Sequence, residues 1–333
     1  MKWKTWLGVA VSAVFLALAF RKFEFQEMGS SLRQANYLYL IPVFALTILT
    51  FWLRAYRWKF FLESVKQINT HTLFSATMIG FMANNLLPAR LGEFVRAYAI
   101  GRREQISKSA SFATIVVERI FDGLTLLLFM YVVLIFLPLF PSWIKRSALI
   151  ALIIYLGALA LLFLLNVKTQ RTLNIASFVL RFLPDRITEK VVHVLESFAS
   201  GLSVLSQMHH LLVVFLLSLV IWGLFVATIY CTFFAFNFGL PLYAAVTLLV
   251  ILSIGVMLPS SPGFVGTFQF FCVVGLGLFN ISESAALSYS IVLHASQYIP
   301  VTAIGLLYFW RENLSFREIS SQSPESQPLD KGD

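Results

Sequence analysis

The side chains best suited to chemistry lie within long apolar stretches, where ionisable groups are costly to bury. One group surrounds a proline and glycine break in the first third of the chain, and it comprises Asn84, Asn85, Arg90, Glu93 and Arg96. If a helix begins near Gly92, then Arg90, Glu93 and Arg96 share one side of its first turns. Glu93 would hold one arginine and leave the other for an anion beside the helix N-terminus, whose free N–H groups favour negative charge. Two interpretations stay open: a site for a phosphate or carboxylate headgroup, and an Arg–Glu clip that only closes a hairpin.

A second charged group follows at the start of another apolar run, and it comprises Glu118, Arg119 and Asp122. Arg119 and Asp122 are neighbours on a helix face. Two acids and one base leave a negative site unless Arg90 or Arg96 approaches it. Such a buried network either fixes one conformation of a moving part or is a static structural element, and the sequence favours neither.

A third group is polar but uncharged, and it comprises Ser260, Ser261, Gly263 and, further along, His294. The serines and the glycine belong to a second proline and glycine break. His294 lies in the last apolar run, where a histidine either senses protons or packs as a satisfied polar residue. The sequence contains no glycine-rich phosphate loop, no serine-centred elbow and no Cys or His pair at metal-ligand spacing. We therefore predict no catalytic residue, no metal site and no cofactor.

These residues are positioned by apolar segments that are long enough to cross a bilayer. Of 333 residues, 59% are hydrophobic and only 12% are charged, about half the charge of a soluble domain. A spanning helix needs about 20 apolar residues. Six runs predict full spans: Trp3–Phe20, Tyr37–Leu53, Ser111–Leu137, Ser147–Leu165, Leu211–Phe236 and Ala285–Trp310. The composition thus predicts an all-α polytopic membrane protein, and the net charge of +9 is attributed to cytoplasmic loops rather than to nucleic-acid binding.

Two further apolar segments are interrupted. His71–Leu87 resumes at Phe94–Ile100, and Leu240–Leu258 resumes at Phe264–Phe279. Each interruption reads Leu-Pro, three residues, then Gly, so each predicts a helix, a break and a second helix. Three full spans separate the breaks, which places the two re-entrant hairpins on opposite sides of the membrane, as an inverted repeat requires. The alternative is a pair of proline-kinked helices that span the membrane.

The distribution of lysine and arginine predicts the orientation. With both interrupted segments re-entrant, most basic residues collect on the side of both termini, which is then the cytoplasm. The first apolar run also resembles a signal peptide, and we expect it to remain as an uncleaved span. Arg54–Val65 and Asp185–Gln207 combine basic or polar residues with apolar ones and predict helices on the inner leaflet. We predict that residues 1–316 form one transmembrane domain and that residues 317–333 form a disordered cytoplasmic tail.

The run from Asn84 to Arg96, together with the run from Val117 to Asp122, resembles the signature of the lysylphosphatidylglycerol synthase transmembrane family, also called flippase-like proteins. Pro259 to Gly266 and His294 resemble it as well. The resemblance covers residues 1 to 316. It implies a bacterial or archaeal plasma-membrane protein that handles lipid headgroups. Relatives in which this region moves an aminoacylated phospholipid also carry a soluble aminoacyl-transferase domain, which these 333 residues do not contain. The resemblance therefore gives no direct support for synthase activity and leaves the specific lipid open.

The resulting hypothesis is a non-enzymatic lipid translocase that moves an anionic phospholipid or a lipid-linked headgroup between leaflets. Its partner is the membrane lipid itself. One alternative is a scaffold that presents lipid to a separate lipid-modifying enzyme. Another is a membrane enzyme acting on a lipid-linked substrate, in which Glu118 and Asp122 are catalytic or metal-binding carboxylates.

Overall fold

The computed structural model describes residues 2–19, 24–87, 91–136, 142–180, 185–258 and 260–315. Within these ranges the chain forms thirteen α-helices and no β-strand, which confirms the all-α class. The helices are α1 (Lys2–Ala19), α2 (Phe25–Gln34), α3 (Leu40–Leu62), α4 (Thr70–Leu86), α5 (Gly92–Glu104), α6 (Lys108–Phe136), α7 (Ser142–Val167), α8 (Thr169–Leu180), α9 (Asp185–Gly201), α10 (Met208–Ala235), α11 (Leu242–Met257), α12 (Thr267–Gly277) and α13 (Glu283–Arg311).

Each of the six predicted spans corresponds to one long helix. Four stretches are long and apolar enough to cross a membrane: Tyr37–Leu62, Arg146–Val167, Met208–Ala235 and Glu283–Arg311. The other two predicted spans form α1, with 18 residues, and α6, with 29 residues. Their predicted last residues, Phe20 and Leu137, lie outside the described residues. Only 11% of the apolar part of α7 is buried, so its isoleucine and leucine side chains face outward, as they would in lipid.

The first interrupted segment is a helical hairpin. The side-chain oxygen Oδ1 of Asn84, near the end of α4, accepts a hydrogen bond from the Gly92 N–H at the start of α5, at 2.8 Å. One turn earlier in α4, Gly80 lies against Arg96, one turn later in α5. Residues successively earlier in α4 therefore contact residues successively later in α5, which shows that the two helices run antiparallel.

The second interrupted segment reverses in the same way. Gly255 near the end of α11 packs against Phe271 of α12, and Leu248 packs against Gly275. A 3-10 turn, Pro262–Phe264, connects the two helices. Because the chain turns back at both breaks, the alternative of two proline-kinked spanning helices is excluded.

The helix contacts repeat in two halves, α2–α6 and α9–α13. Contacts of α3 with α4, α4 with α5, and α5 with α6 are matched by those of α10 with α11, α11 with α12, and α12 with α13. The long-range pairs also match: α4 with α13 corresponds to α11 with α6, and α2 with α13 corresponds to α9 with α6. Exchanging the two halves therefore reproduces the pattern of contacts, as an internal repeat predicts.

The central pair, α3 and α10, shows that the repeat is inverted. At one end the Asn36 N–H, just before α3, donates to the Ala235 carbonyl at the end of α10, at 2.8 Å. At the other end Gln207, just before α10, donates to the Ser64 hydroxyl after α3, at 3.1 Å. The two equivalent helices thus run antiparallel, which is the arrangement of an inverted-topology repeat.

One of the two predicted interfacial helices is wrong. Arg54–Val65 does not form a separate helix on a membrane surface, because α3 continues through it to Leu62 and buries Arg54, Arg57 and Trp58. Asp185–Gln207 does form the helix α9 followed by a short 3-10 turn. The apolar residues at its end, Leu202 and Leu205, are buried, and α9 packs on α6.

Candidate functional site

Six ionisable side chains meet between α3, α5 and α6, and we refer to them as the charge cluster. Its members are Arg54, Arg57, Arg96, Glu118, Arg119 and Asp122. Glu118 and Asp122 are four residues apart, so they lie on one face of α6. Five of the six side chains are at most 6% exposed, whereas that of Arg119 is 38% exposed. Arg119 therefore forms the accessible edge of an otherwise buried cluster.

Glu118 binds arginines from three helices. Its carboxylate lies 3.0 Å from Nη1 of Arg96 on α5 and 3.2 Å from Nη2 of Arg57 on α3. Arg119 on α6 itself approaches it to 2.8 Å. The sequence suggested that Arg90 or Arg96 approaches the acidic pair of Glu118 and Asp122, and Arg96 does contact Glu118.

Asp122 connects α6 to the central helix pair. Its two oxygens accept hydrogen bonds from Arg57 at 2.8 Å and from Arg54 at 3.0 Å. The indole N–H of Trp222 on α10 donates to it at 3.1 Å. Arg57 also donates to the Ser218 hydroxyl on α10 at 2.6 Å. Asp122 thus lies where both halves of the repeat meet.

Aromatic rings line the cluster. The guanidinium of Arg96 stacks over Trp58 at 3.7 Å from the ring centroid. Arg54 faces the rings of Phe81, Trp222 and Phe225 at about 5.5 Å. Such stacking stabilises a desolvated cation and holds the guanidinium plane in one orientation.

The cluster carries more positive than negative charge. Within these six groups four arginines face two carboxylates, which is a formal excess of two positive charges, and Glu93 is a further carboxylate that interacts with Arg119. Among the described residues, several buried guanidinium nitrogens have no hydrogen-bond acceptor, including Nε of Arg54, Arg57 and Arg96 and Nη2 of Arg96. An unsatisfied buried donor costs about 1–3 kcal/mol, and more when it is charged. The cluster is therefore suited to binding an anion.

The turn of the first hairpin holds the other residues predicted around the first break. Asn84 caps the Gly92 N–H, and its amide nitrogen lies 3.4 Å from Glu93. Asn85 donates to the Thr302 hydroxyl on α13 at 2.8 Å. Arg90 lies outside the described residues. Asn84 and Asn85 thus fix the hairpin to itself and to α13.

The two hairpin turns touch each other. Gly263, in the second turn, has a φ of 69°, and an added Cβ would lie 3.2 Å from the Asn85 carbonyl oxygen and 2.6 Å from the Tyr298 ring. Only a glycine fits this left-handed position and close approach. The sequence predicted the two breaks, and the structure brings them together.

The remaining candidates lie around the second turn. The Ser261 N–H donates to the Ser12 hydroxyl of α1 at 2.7 Å, and Ser260 is half-buried beside it. His294 stacks on Phe268 at 4.4 Å and lies 3.0 Å from the Gln269 amide nitrogen. These residues support the second hairpin. A part for them, or for the charge cluster, in substrate binding stays a prediction.

Sequence reasoning missed Arg54 and Arg57. Both follow the apolar run at Tyr37–Leu53, and mixed with Trp58 they matched the pattern of an interfacial helix. Their spacing places Arg54, Arg57 and Trp58 on one helical face, but it does not indicate what covers that face. That face meets α6 rather than a headgroup layer.

Fold and site together define a polytopic α-helical membrane protein built on an inverted repeat, with a basic buried cluster beside the hairpin turns. The chain belongs to the family described as "Lysylphosphatidylglycerol synthase TM region", whose model matches residues 5–305. Similar proteins include a UPF0104 membrane protein of Methanothermobacter thermautotrophicus, which is 23% identical over 92% of this chain and 95% of its own length. A UPF0104 membrane protein of Methanocaldococcus jannaschii is 26% identical over 91% of this chain and 94% of its own length.

A third similar protein has a named activity. The glycosyltransferase AglD of Haloferax volcanii is 27% identical over 90% of this chain, and the match covers 52% of AglD. No solved structure matches this chain at a significant level.

Proposed function

We propose that the protein is a non-enzymatic lipid translocase that binds an anionic headgroup at the charge cluster and moves the lipid between leaflets. The observation that carries this proposal is the excess of positive charge in a buried site whose guanidinium donors are not all paired. A phosphate group supplies several acceptor oxygens and negative charge, so it would satisfy those donors. Membership of the lysylphosphatidylglycerol synthase transmembrane family supports a role in the membrane.

The inverted repeat supports movement by alternating access. Transporters with two interrupted helices place the substrate where the repeats meet, and one repeat moves against the other. Here the charge cluster lies between α6 of one repeat and α10 of the other, close to the turn of the first hairpin. In this mechanism the headgroup reaches Arg119 first, because that side chain is the exposed member of the cluster.

The proposed location is the plasma membrane of a bacterium or archaeon, with both termini in the cytoplasm. The lysine and arginine bias of the loops supports this orientation. The archaeal similar proteins support a prokaryotic membrane.

Exchange of a fluorescent phosphatidylglycerol in proteoliposomes tests the proposal. Arg96→Lys keeps the charge but loses the planar fork and the stacking on Trp58, and Arg119→Gln removes the accessible cation. We expect both variants to slow exchange by about tenfold or more. Arg171→Gln, which removes a charge from the exposed surface of α8, is the matched control and should exchange as the unmodified protein does. Unchanged exchange in both cluster variants would contradict the headgroup role.

A second candidate function follows from the similarity to AglD. That protein is a glycosyltransferase, and this chain corresponds to about half of it. In this case the protein would either present a lipid-linked substrate to a separate lipid-modifying enzyme or act on such a substrate itself. A protein that retains a lipid-linked substrate through purification but gives no exchange in liposomes would favour this candidate, and mass spectrometry of the retained lipids would identify the substrate.

A further inference from the structure

A cavity of about 580 Å³ lies at the end of the first hairpin that is remote from its turn. The start of α4 and the ends of α5 and α13 form its walls. Its polar lining comprises His71, Arg102, Arg103, Tyr308, Arg311 and Glu312. We refer to it as the basic cavity. Its volume falls in the range of small-molecule sites, about 300–1,000 Å³.

The lining of the basic cavity is rich in positive charge. Three arginines and one glutamate give a formal excess of two positive charges with His71 neutral. The excess matches a doubly charged phosphate monoester. Arginine is the side chain best shaped to bind phosphate, because its planar fork donates two parallel hydrogen bonds.

Glu312 occupies part of this positive surface. Its carboxylate accepts hydrogen bonds from Arg103 at the end of α5 and from the buried Ser75 hydroxyl of α4. The side chain is 14% exposed, so it reaches inward from the end of α13. An anion that bound the arginines would compete with this carboxylate for Arg103.

Two further polar groups complete the cavity. The Tyr308 hydroxyl lies 3.1 Å from Nε2 of His71 across the gap between α13 and α4. A phenol and an imidazole offer additional hydrogen-bond donors to phosphate oxygens. Their rings pack edge to face, which orients both groups.

We propose that the basic cavity is a second anion site, which binds a phosphate monoester borne by a lipid headgroup or present as free phosphate. It is separate from the charge cluster: Arg96 and Arg103 are seven residues apart on α5, or about 10 Å along the helix axis. In the proposed orientation it opens at the cytoplasmic face. Anion binding in the basic cavity does not require lipid translocation. An experiment can therefore contradict either proposal without contradicting the other.

The test is calorimetric titration of the full-length protein in non-ionic detergent. The two probes are inorganic phosphate and dihexanoyl phosphatidic acid, and dihexanoyl phosphatidylcholine serves as the zwitterionic comparison. We expect Arg103→Gln and Arg311→Gln to weaken binding of the bound probe by roughly tenfold each. Arg171→Gln removes a charge from exposed α8 and should leave the affinity unchanged. Glu312→Gln removes the competing carboxylate and should strengthen binding several-fold, a gain that misfolding cannot produce.

The two probes separate the sources of the phosphate. Binding of phosphatidic acid alone supports a lipid headgroup, and equal sensitivity of both probes to the arginine variants supports recognition of the phosphate itself. No binding of either probe overturns the proposal. Equal affinities in the unmodified protein and in both arginine variants also overturn it, because the anion would then bind elsewhere. Weaker binding in Glu312→Gln would overturn the part assigned to the carboxylate.

Discussion

Asp122 illustrates how a fully buried set of charges is held inside this protein. Isolated ions are expensive to desolvate, and the cost is offset only when each ion keeps several partners. Asp122 accepts hydrogen bonds from Arg54, Arg57 and Trp222 and so ties three helices together. Its negative charge also limits the positive excess of the cluster. The same carboxylate would therefore favour stability and oppose the proposed binding of an anion.

Replacement of Asp122 by asparagine is expected to destabilise the fold by about 3–5 kcal/mol, because two buried guanidinium groups lose the nearer of their two carboxylate partners and keep only Glu118. Chemical unfolding in detergent micelles, followed by tryptophan fluorescence, measures this change. Glu189→Gln on the exposed face of α9 is the matched control and should shift the free energy of unfolding by less than about 0.5 kcal/mol. A similarly small shift for Asp122→Asn would show that the cluster adds little to stability.

The ionisable residues of α6 could be predicted from the sequence, but those of α3 could not. Glu118, Arg119 and Asp122 interrupt an apolar run, and their burial follows from the cost of charge in lipid. Arg54 and Arg57 lie at the end of a run, where the same residue types also fit a membrane surface. Helical periodicity identifies a polar face but not what covers it. Only the packing of α3 on α6 and α10 decides that question.

Among the elements, the first hairpin depends on two glycines at the contact of its helices. A Cβ added at Gly92 would lie 2.1 Å from the Gly80 carbonyl oxygen and 2.5 Å from the Asn84 side chain. Backbone cannot move aside as a flexible side chain can. The proline and glycine pattern predicted a break here, but it could not predict that α4 and α5 touch so closely, because this distance depends on both helices.

Gly92→Ala is expected to force α4 and α5 apart and to destabilise the protein by about 1–3 kcal/mol, as overpacking of a close contact does. The matched control is Gly157→Ala in α7, where nothing lies within 4 Å of the added Cβ. That change should be neutral or stabilising by up to about 1 kcal/mol, since alanine favours the helix. Thermal unfolding of the two variants side by side measures the difference, and equal transitions would refute close packing at Gly92.

In the whole molecule the two repeats are alike in packing but different in charge. The odd number of spans between the breaks predicted the inversion, and the antiparallel contacts of α3 with α10 agree with it. The second hairpin carries Gln269 and His294 near its turn, whereas the charge cluster adjoins the first. In the proposed mechanism the anion would therefore bind to the first repeat, and the second hairpin would close the site from the opposite side.

If the protein alternates between two states, the hairpin turn at Asn85 must move relative to α13. Asn85 and Thr302 are joined by a 2.8 Å side-chain hydrogen bond, so cysteines at both positions are close enough to be cross-linked by oxidation or by a short bifunctional reagent. In a chain whose Cys231 and Cys272 are replaced by alanine, we expect the cross-linked Asn85→Cys, Thr302→Cys protein to lose lipid exchange at least tenfold and to regain it on reduction.

Each single cysteine variant, treated identically, is the control for this experiment and should keep its exchange rate. Full exchange by the cross-linked protein would mean that the contact between the first hairpin and α13 is static. The lipid would then cross along a fixed surface, and the repeat would serve only to build the charge cluster. Loss of exchange that reduction reverses requires the opposite conclusion, because an intact and correctly inserted protein would then be blocked by one bond at the hairpin turn.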